Sequence, residues 1–188
     1  HQPYLVFLDS ISVLPSGQVA ISWPLPHDKD VTQYQIQQDL QGLNTGIATI
    51  RGYTTTNFVL NSTAANTGTV ALFVAAIDSC GSGGEVDYQP VSMFLKLSYD
   101  YCNFSTDLQW TPYRWAKRNG LPIDEVQEYR VYFSEDSGAT WSRLASTNQL
   151  SYRHTNVAVD KQVLYFIRVV SKRQTMTASS NRKGFYSI

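Results

Sequence analysis

Three sets of residues in this 188-residue chain have types and spacing that could do chemistry. The first is a pair of acidic doublets, Asp28 with Asp30 and Asp124 with Glu125. Two carboxylates hydrolyse a glycosidic bond when they face each other across a cleft. Here each doublet stands on one short polar segment, where Asp and Glu commonly serve as turn and solubility residues. The second set is the run Gly81-Ser82-Gly83-Gly84, whose glycines suggest a phosphate loop. It lacks the following Lys and helix that such a loop needs, so it reads as a flexible connection. The third is Ser134 to Trp141, SEDSGATW. Asp136 can accept backbone N–H bonds from two or three residues on, and Gly138 can take positive φ, which is the chemistry of a hairpin turn. No G-x-S-x-G, C-x-x-C or H-x-x-x-H spacing occurs, and His1, His27 and His154 are scattered. The residues predict no enzyme, no cofactor and no metal site.

The whole-chain composition narrows the partners. Lys+Arg and Asp+Glu are 15 each, and only 16% of residues are charged. Nucleic acid and anionic membranes attract a basic field, which this balance does not supply. The longest apolar runs, Val70 to Ile77 and Val163 to Ile167, are too short to cross a bilayer. The opening HQPYLVFLDS has no basic region and no long apolar stretch, so it does not read as a signal peptide. Aromatics are plentiful (12 Tyr, 8 Phe, 4 Trp), and Thr, Ser, Val and Tyr crowd the chain. That favours strands.

An internal repeat supplies the elements. AISW (Ala20 to Trp23), VTQYQIQQ (Val31 to Gln38) and VALFVAAID (Val70 to Asp78) are echoed by DLQW (Asp107 to Trp110), VQEYRVYF (Val126 to Phe133) and YFIRVVS (Tyr165 to Ser171). Tyr34 to Val70 and Tyr129 to Tyr165 both span 36 residues. Trp23 to Tyr34 spans 11 residues and Trp110 to Tyr129 spans 19, so an eight-residue insertion after Trp110 brings the halves into register. Each segment alternates apolar and polar with period two, the signature of half-buried antiparallel strands.

The late Trp of one strand (Trp23, Trp110), the Tyr opening the next (Tyr34, Tyr129) and the run Tyr165 to Val169 resemble the fibronectin type III fold. That resemblance implies an all-β chain of two tandem immunoglobulin-like sandwiches, residues 1–92 and 93–188. AIDSCGSGGEV and YDYCNFSTDLQWTPYRW further resemble repeats of secreted and surface proteins of gliding and gut bacteria, several of the gliding-motility-associated type. This implies an extracytoplasmic, non-catalytic module for spacing, adhesion or protein interaction, with an unknown protein or glycan at the cell surface as partner. The alternative is a carbohydrate-binding accessory module of a surface glycan-utilisation system. SEDSGATW also resembles the Asp-box of bacterial sialidases, itself a structural hairpin without a catalytic group. A sialidase needs several copies on a propeller, and one copy in this length cannot supply it.

Two features remain. The insertion Pro112 to Asp124 gathers Tyr113, Arg114, Trp115, Lys117 and Arg118. An exposed Trp beside basic groups can stack on a sugar or dock a protein, with Trp141 as a further stacking ring. Alternatively, Trp115 covers its own domain or fills the joint between the two. Cys80 and Cys102 are expected to form a disulfide, as two cysteines of an extracytoplasmic chain commonly do. A straight string of domains would hold them too far apart, so the bond requires a sharply bent pair.

Overall fold

The computed structural model describes residues 6–27, 29–40, 43–83, 90–115, 117–118, 121–122, 124–173 and 176–188, with main chain only at 117–118 and 121–122. Asp28 and Gly84 lie outside the described residues. The first half contributes β1 (Ser10–Val13), β2 (Val19–Ser22), β3 (Val31–Leu40), β4 (Leu43–Arg51), β5 (Asn57–Leu60) and β6 (Leu72–Asp78). They form two antiparallel sheets, ordered β1-β2-β5 and β4-β3-β6. Period-two alternation sends Ile11, Val13, Val19 and Ile21 of one sheet and Tyr34, Ile36, Leu72 and Val74 of the other into the core.

The second half repeats the plan. Its strands are β7 (Leu95–Asp100), β8 (Ser105–Trp110), β9 (Lys117–Arg118), β10 (Leu121–Pro122), β11 (Val126–Ser134), β12 (Ser142–Thr147), β13 (Ser151–His154), β14 (Lys161–Ser171), β15 (Thr177–Ser179) and β16 (Lys183–Ser187). One sheet runs β13-β8-β7, and the other runs β12-β11-β14, with β15 and β16 both pairing β14. The chain is therefore all-β, two tandem immunoglobulin-like sandwiches with fibronectin type III strand order.

The two cores match residue by residue. Trp23 directly follows β2 and Trp110 ends β8, their backbone N–H groups donating to the carbonyls of Thr56 (2.9 Å) and Leu150 (3.0 Å). Each indole tilts onto the expected tyrosine, Trp23 on Tyr34 at 5.3 Å and Trp110 on Tyr129 at 5.8 Å between centroids. One detail of the repeat is corrected by the ladders. Tyr34 pairs Ala76 and Gln38 pairs Leu72, whereas Tyr129 pairs Val169 and Phe133 pairs Tyr165. The counterpart of Tyr165 is thus Leu72, not Val70. A slip of two residues leaves every side chain on the same face, so alternation alone cannot detect it.

The sandwiches are joined by a pinned linker. Ser92 Oγ accepts the Val70 N–H (2.8 Å), and the Ser92 N–H donates back to the Val70 carbonyl (2.9 Å). Two residues on, the Phe94 N–H donates to Thr111 Oγ1 (2.9 Å) and its carbonyl accepts the Thr111 N–H (3.1 Å). Met93 between them is fully buried. A connection bonded to the first sandwich at Ser92 and to the second at Phe94 has little freedom to swing.

Candidate functional site

Within the insertion after Trp110, β9 pairs antiparallel with β10 through Arg118↔Leu121 and Lys117↔Pro122. The insertion's stem carries the aromatic pair of interest. Tyr113 is 3% exposed and Trp115 2% exposed, with their rings edge to face at 4.5 Å. The Tyr113 N–H donates to the Tyr129 hydroxyl (3.1 Å), which anchors the stem to its own core. The Tyr113 hydroxyl in turn accepts the N–H of Ile11, from the first sandwich, at 3.0 Å. Burial holds the Tyr113 hydroxyl well above the usual tyrosine range. The expected ligand-stacking role of Tyr113 and Trp115 is therefore revised: neither ring offers a face to an external molecule. The structural alternative is what they adopt, with Tyr113 filling the joint. Arg114 is exposed, while the Lys117 and Arg118 side chains lie outside the described residues.

Two more hydrogen bonds close this joint. The Ser179 N–H donates to Ser12 Oγ (3.3 Å), and Lys183 Nζ donates to the Asn66 carbonyl (2.8 Å). Asp9 lies beside Tyr113, and partial burial raises its carboxyl above the ordinary value.

The segment from Ser134 forms the expected turn, with Ser137 and Gly138 at φ 60° and 90°. Asp136 is its hub: it accepts the Ser134 hydroxyl (2.6 Å), the Thr140 N–H (2.9 Å) and the Thr140 hydroxyl. These bonds hold its carboxyl well below the usual carboxylate range. The N–H donor stands four residues on, further than the sequence suggested, because the positive-φ pair adds a turn inside the loop. Trp141 folds back over it, its indole N–H donating to the Gly138 carbonyl (3.0 Å).

Trp141 also opens a surface that the sequence did not single out. On the outer face of β12-β11-β14, Tyr132 and Phe166 stack in parallel at 4.9 Å, and Trp141 meets Phe166 edge-on at 4.7 Å. Arg168 lies 5.5 Å over Tyr132 and 5.6 Å over Phe166, while Arg182 lies 4.7 Å over Trp141 and 5.9 Å over Phe166. Guanidinium–ring contacts of this kind restrain the charged group over the rings. The cross-strand spacing Tyr132↔Phe166 was the available signal, but it requires knowing the register.

The described members of the acidic doublets, Asp30, Asp124 and Glu125, make local bonds. Asp30 accepts the Ser79 hydroxyl (2.6 Å), Asp124 accepts the Glu125 N–H (2.7 Å), and Glu125 pairs with Lys172. Among the described residues, no group of three or more His, Cys, Asp or Glu could hold a metal ion. Among them, too, no helix is long and apolar enough to cross a membrane. The expected disulfide is not formed: Cys80 and Cys102 are free, exposed thiols. Cys80 sits in the turn after β6. Cys102 follows β7, whose six residues carry it about 20 Å from the linker.

In overall shape the chain is similar to two solved fibronectin arrays. One is the FN1–FN3 domains of chicken CNTN1, at 11% identity and a TM-score of 0.40, covering 99% of this chain and 68% of that one. The other is the central fibronectin-III array of RIM-binding protein, at 12% identity and 0.37, covering 98% and 69%. No family model and no curated protein matches the chain. Strand order and register alone carry the fold.

Proposed function

We propose that the chain is a non-catalytic spacer and protein-interaction module, two sandwiches divided between residues 92 and 93, within a secreted or surface protein of a bacterium. The joint is the observation that carries the reading. A spacer transmits distance and direction only if its domains hold a fixed angle, and here the linker is bonded on both sides while Tyr113 bridges the sandwiches. Inter-domain interfaces move freely by default unless they are buried and well bonded. The compartment and source rest on the D-S-C-G and L-Q-W-T-P-Y-R-W runs of the sequence. Arg114, with Lys117 and Arg118, is kept as a partner-contacting set on the hairpin.

The test is small-angle scattering of the whole chain against the variant carrying Ser92→Ala with Tyr113→Phe. Both changes orphan a buried N–H group, each costing about 1–3 kcal/mol. The wild type should scatter as one rigid particle, and the variant should show a broadened distribution of dimensions with both sandwiches still folded. A flexible wild type, or a variant indistinguishable from it, would refute the spacer reading.

A further inference from the structure

The outer face of β12-β11-β14 is unlike the rest of a chain whose charges balance. Directly opposed residues point to the same face of a sheet. Tyr132 opposes both Phe166 and Arg143, and Arg130 opposes Arg168. Arg182 joins them over Phe166 and Trp141. Four guanidiniums therefore surround two stacked rings. Glu128 engages Arg130 at 2.5 Å. Among the described residues, no carboxylate lies within ion-pair distance of Arg143, Arg168 or Arg182. The other sheet of the same sandwich is the contrast. Its outer concavity, about 390 Å³, is lined by Lys96, Asp107, Gln109 and Arg153. There Arg153 stands 3.7 Å from Asp107 and 3.8 Å from Asp100, so positive charge is matched within the chain.

Like charges on adjacent strands are destabilising unless something offsets them. Ring stacking offsets part of the repulsion, and it also decides what the face can recognise. Arg168 and Arg182 lie against the rings, so stacking by a sugar would first have to displace a guanidinium. Arg168 and Arg182 remain half-exposed, and guanidinium N–H edges are suited to bidentate recognition of carboxylates. From Arg143 across Tyr132 to Phe166 the row crosses two strand spacings, about 10 Å, and Arg182 lies over Phe166. An extended peptide places side chains of one side about 6.8 Å apart, so acids two and four residues apart bracket that row.

We propose that this face docks an extended acidic segment of a partner protein, its carboxylates reaching Arg143, Arg168 and Arg182. The proposal names the partner chemistry of the interaction module and rests on that reading. It is tested by variants of the face that leave the joint untouched, so either can fail alone.

The experiment measures binding of a fluorescein-labelled oligoglutamate peptide by anisotropy, with heparin as a second arm. Three variants are compared with the wild type. Arg143→Glu is at an exposed position of the face. Lys96→Glu makes the same charge change on the opposite sheet. Arg182→Lys keeps the charge but removes the planar fork. The wild type should bind the peptide saturably and less tightly as salt rises. Arg143→Glu should weaken binding about ten-fold or more and Lys96→Glu should not, with thermal midpoints unchanged. Arg182→Lys should also weaken it. The proposal is overturned if the peptide does not bind, if both reversals weaken it equally, or if heparin binds where the peptide does not. The last result would make the face a sulfated-glycan surface instead.

Discussion

Tyr165 illustrates how one polar group is made safe inside an apolar core. Its hydroxyl sits 2.8 Å from His154 Nδ1 and 3.3 Å from Thr106 Oγ1, and burial pushes its pKa up to about 12. The same burial lowers His154 below its ordinary value, only partly opposed by the Glu135 carboxylate. A histidine depressed in the folded state is protonated first in the unfolded chain. Stability from this site is therefore full above the unfolded value, about 6.5, and is lost as pH falls below it. Urea midpoints should accordingly drop between pH 7.5 and 5.5, by more in the wild type than in His154→Gln. Equal drops in the two proteins would show that His154 does not contribute. Nothing of this was legible in the sequence, where His154 stood alone, because the network forms across strands β8, β13 and β14. Trp23 and Trp110 were legible, because a large ring at one fixed place in a repeat has few roles other than bridging two sheets.

At the scale of elements, alternation located most strands, and its failures are physical. Two-residue strands such as β9 and β10 show no period, so the insertion read as a loop. Tyr113 meets the neighbouring sandwich at Ile11, a contact that no local pattern reveals. The last strand hides another device. Between β15 and β16, Ser180 Oγ accepts the Ile167 N–H (2.9 Å), and Asn181 accepts the Leu95 N–H (2.6 Å) while donating to the Leu95 carbonyl (3.3 Å). Asn181 is fully buried and clasps the start of β7 to the opposite sheet. Asn is uncommon in a core, so its residue type gives no signal of this burial. Asn181→Ala would leave two backbone groups of Leu95 without this partner. It should lower stability by about 1–3 kcal/mol for each group that water cannot reach. The expected check is the urea midpoint together with hydrogen exchange at Leu95. An unchanged midpoint with Leu95 still protected would mean the clasp is dispensable.

At the scale of the whole molecule, the two cysteines report on how the sandwiches are held. Each lies in the same local arrangement, its N–H donating to the Asp two residues before it, Cys80 to Asp78 (2.9 Å) and Cys102 to Asp100 (3.0 Å). The repeat thus carries the D-x-C turn twice, but at different places: after β6 in the first sandwich and after β7 in the second. A disulfide tolerates a Cα separation of only about 7 Å. Bringing the two turns together would require Cys102, beyond the end of β7 away from the linker, to approach the turn where Ser79 meets Asp30. The pinned Ser92 and Phe94 and the Tyr113–Ile11 bond fix the sandwiches in a different relation, so rigidity comes from buried hydrogen bonds, not a covalent staple. Purified without reductant, the native chain should take up two maleimide groups, one at each thiol, at rates typical of exposed cysteines. Labelling should not change the scattering profile, because neither thiol takes part in the joint. If the chain stays unlabelled even after unfolding without reductant, the cysteines are paired and the joint must bend to meet that bond.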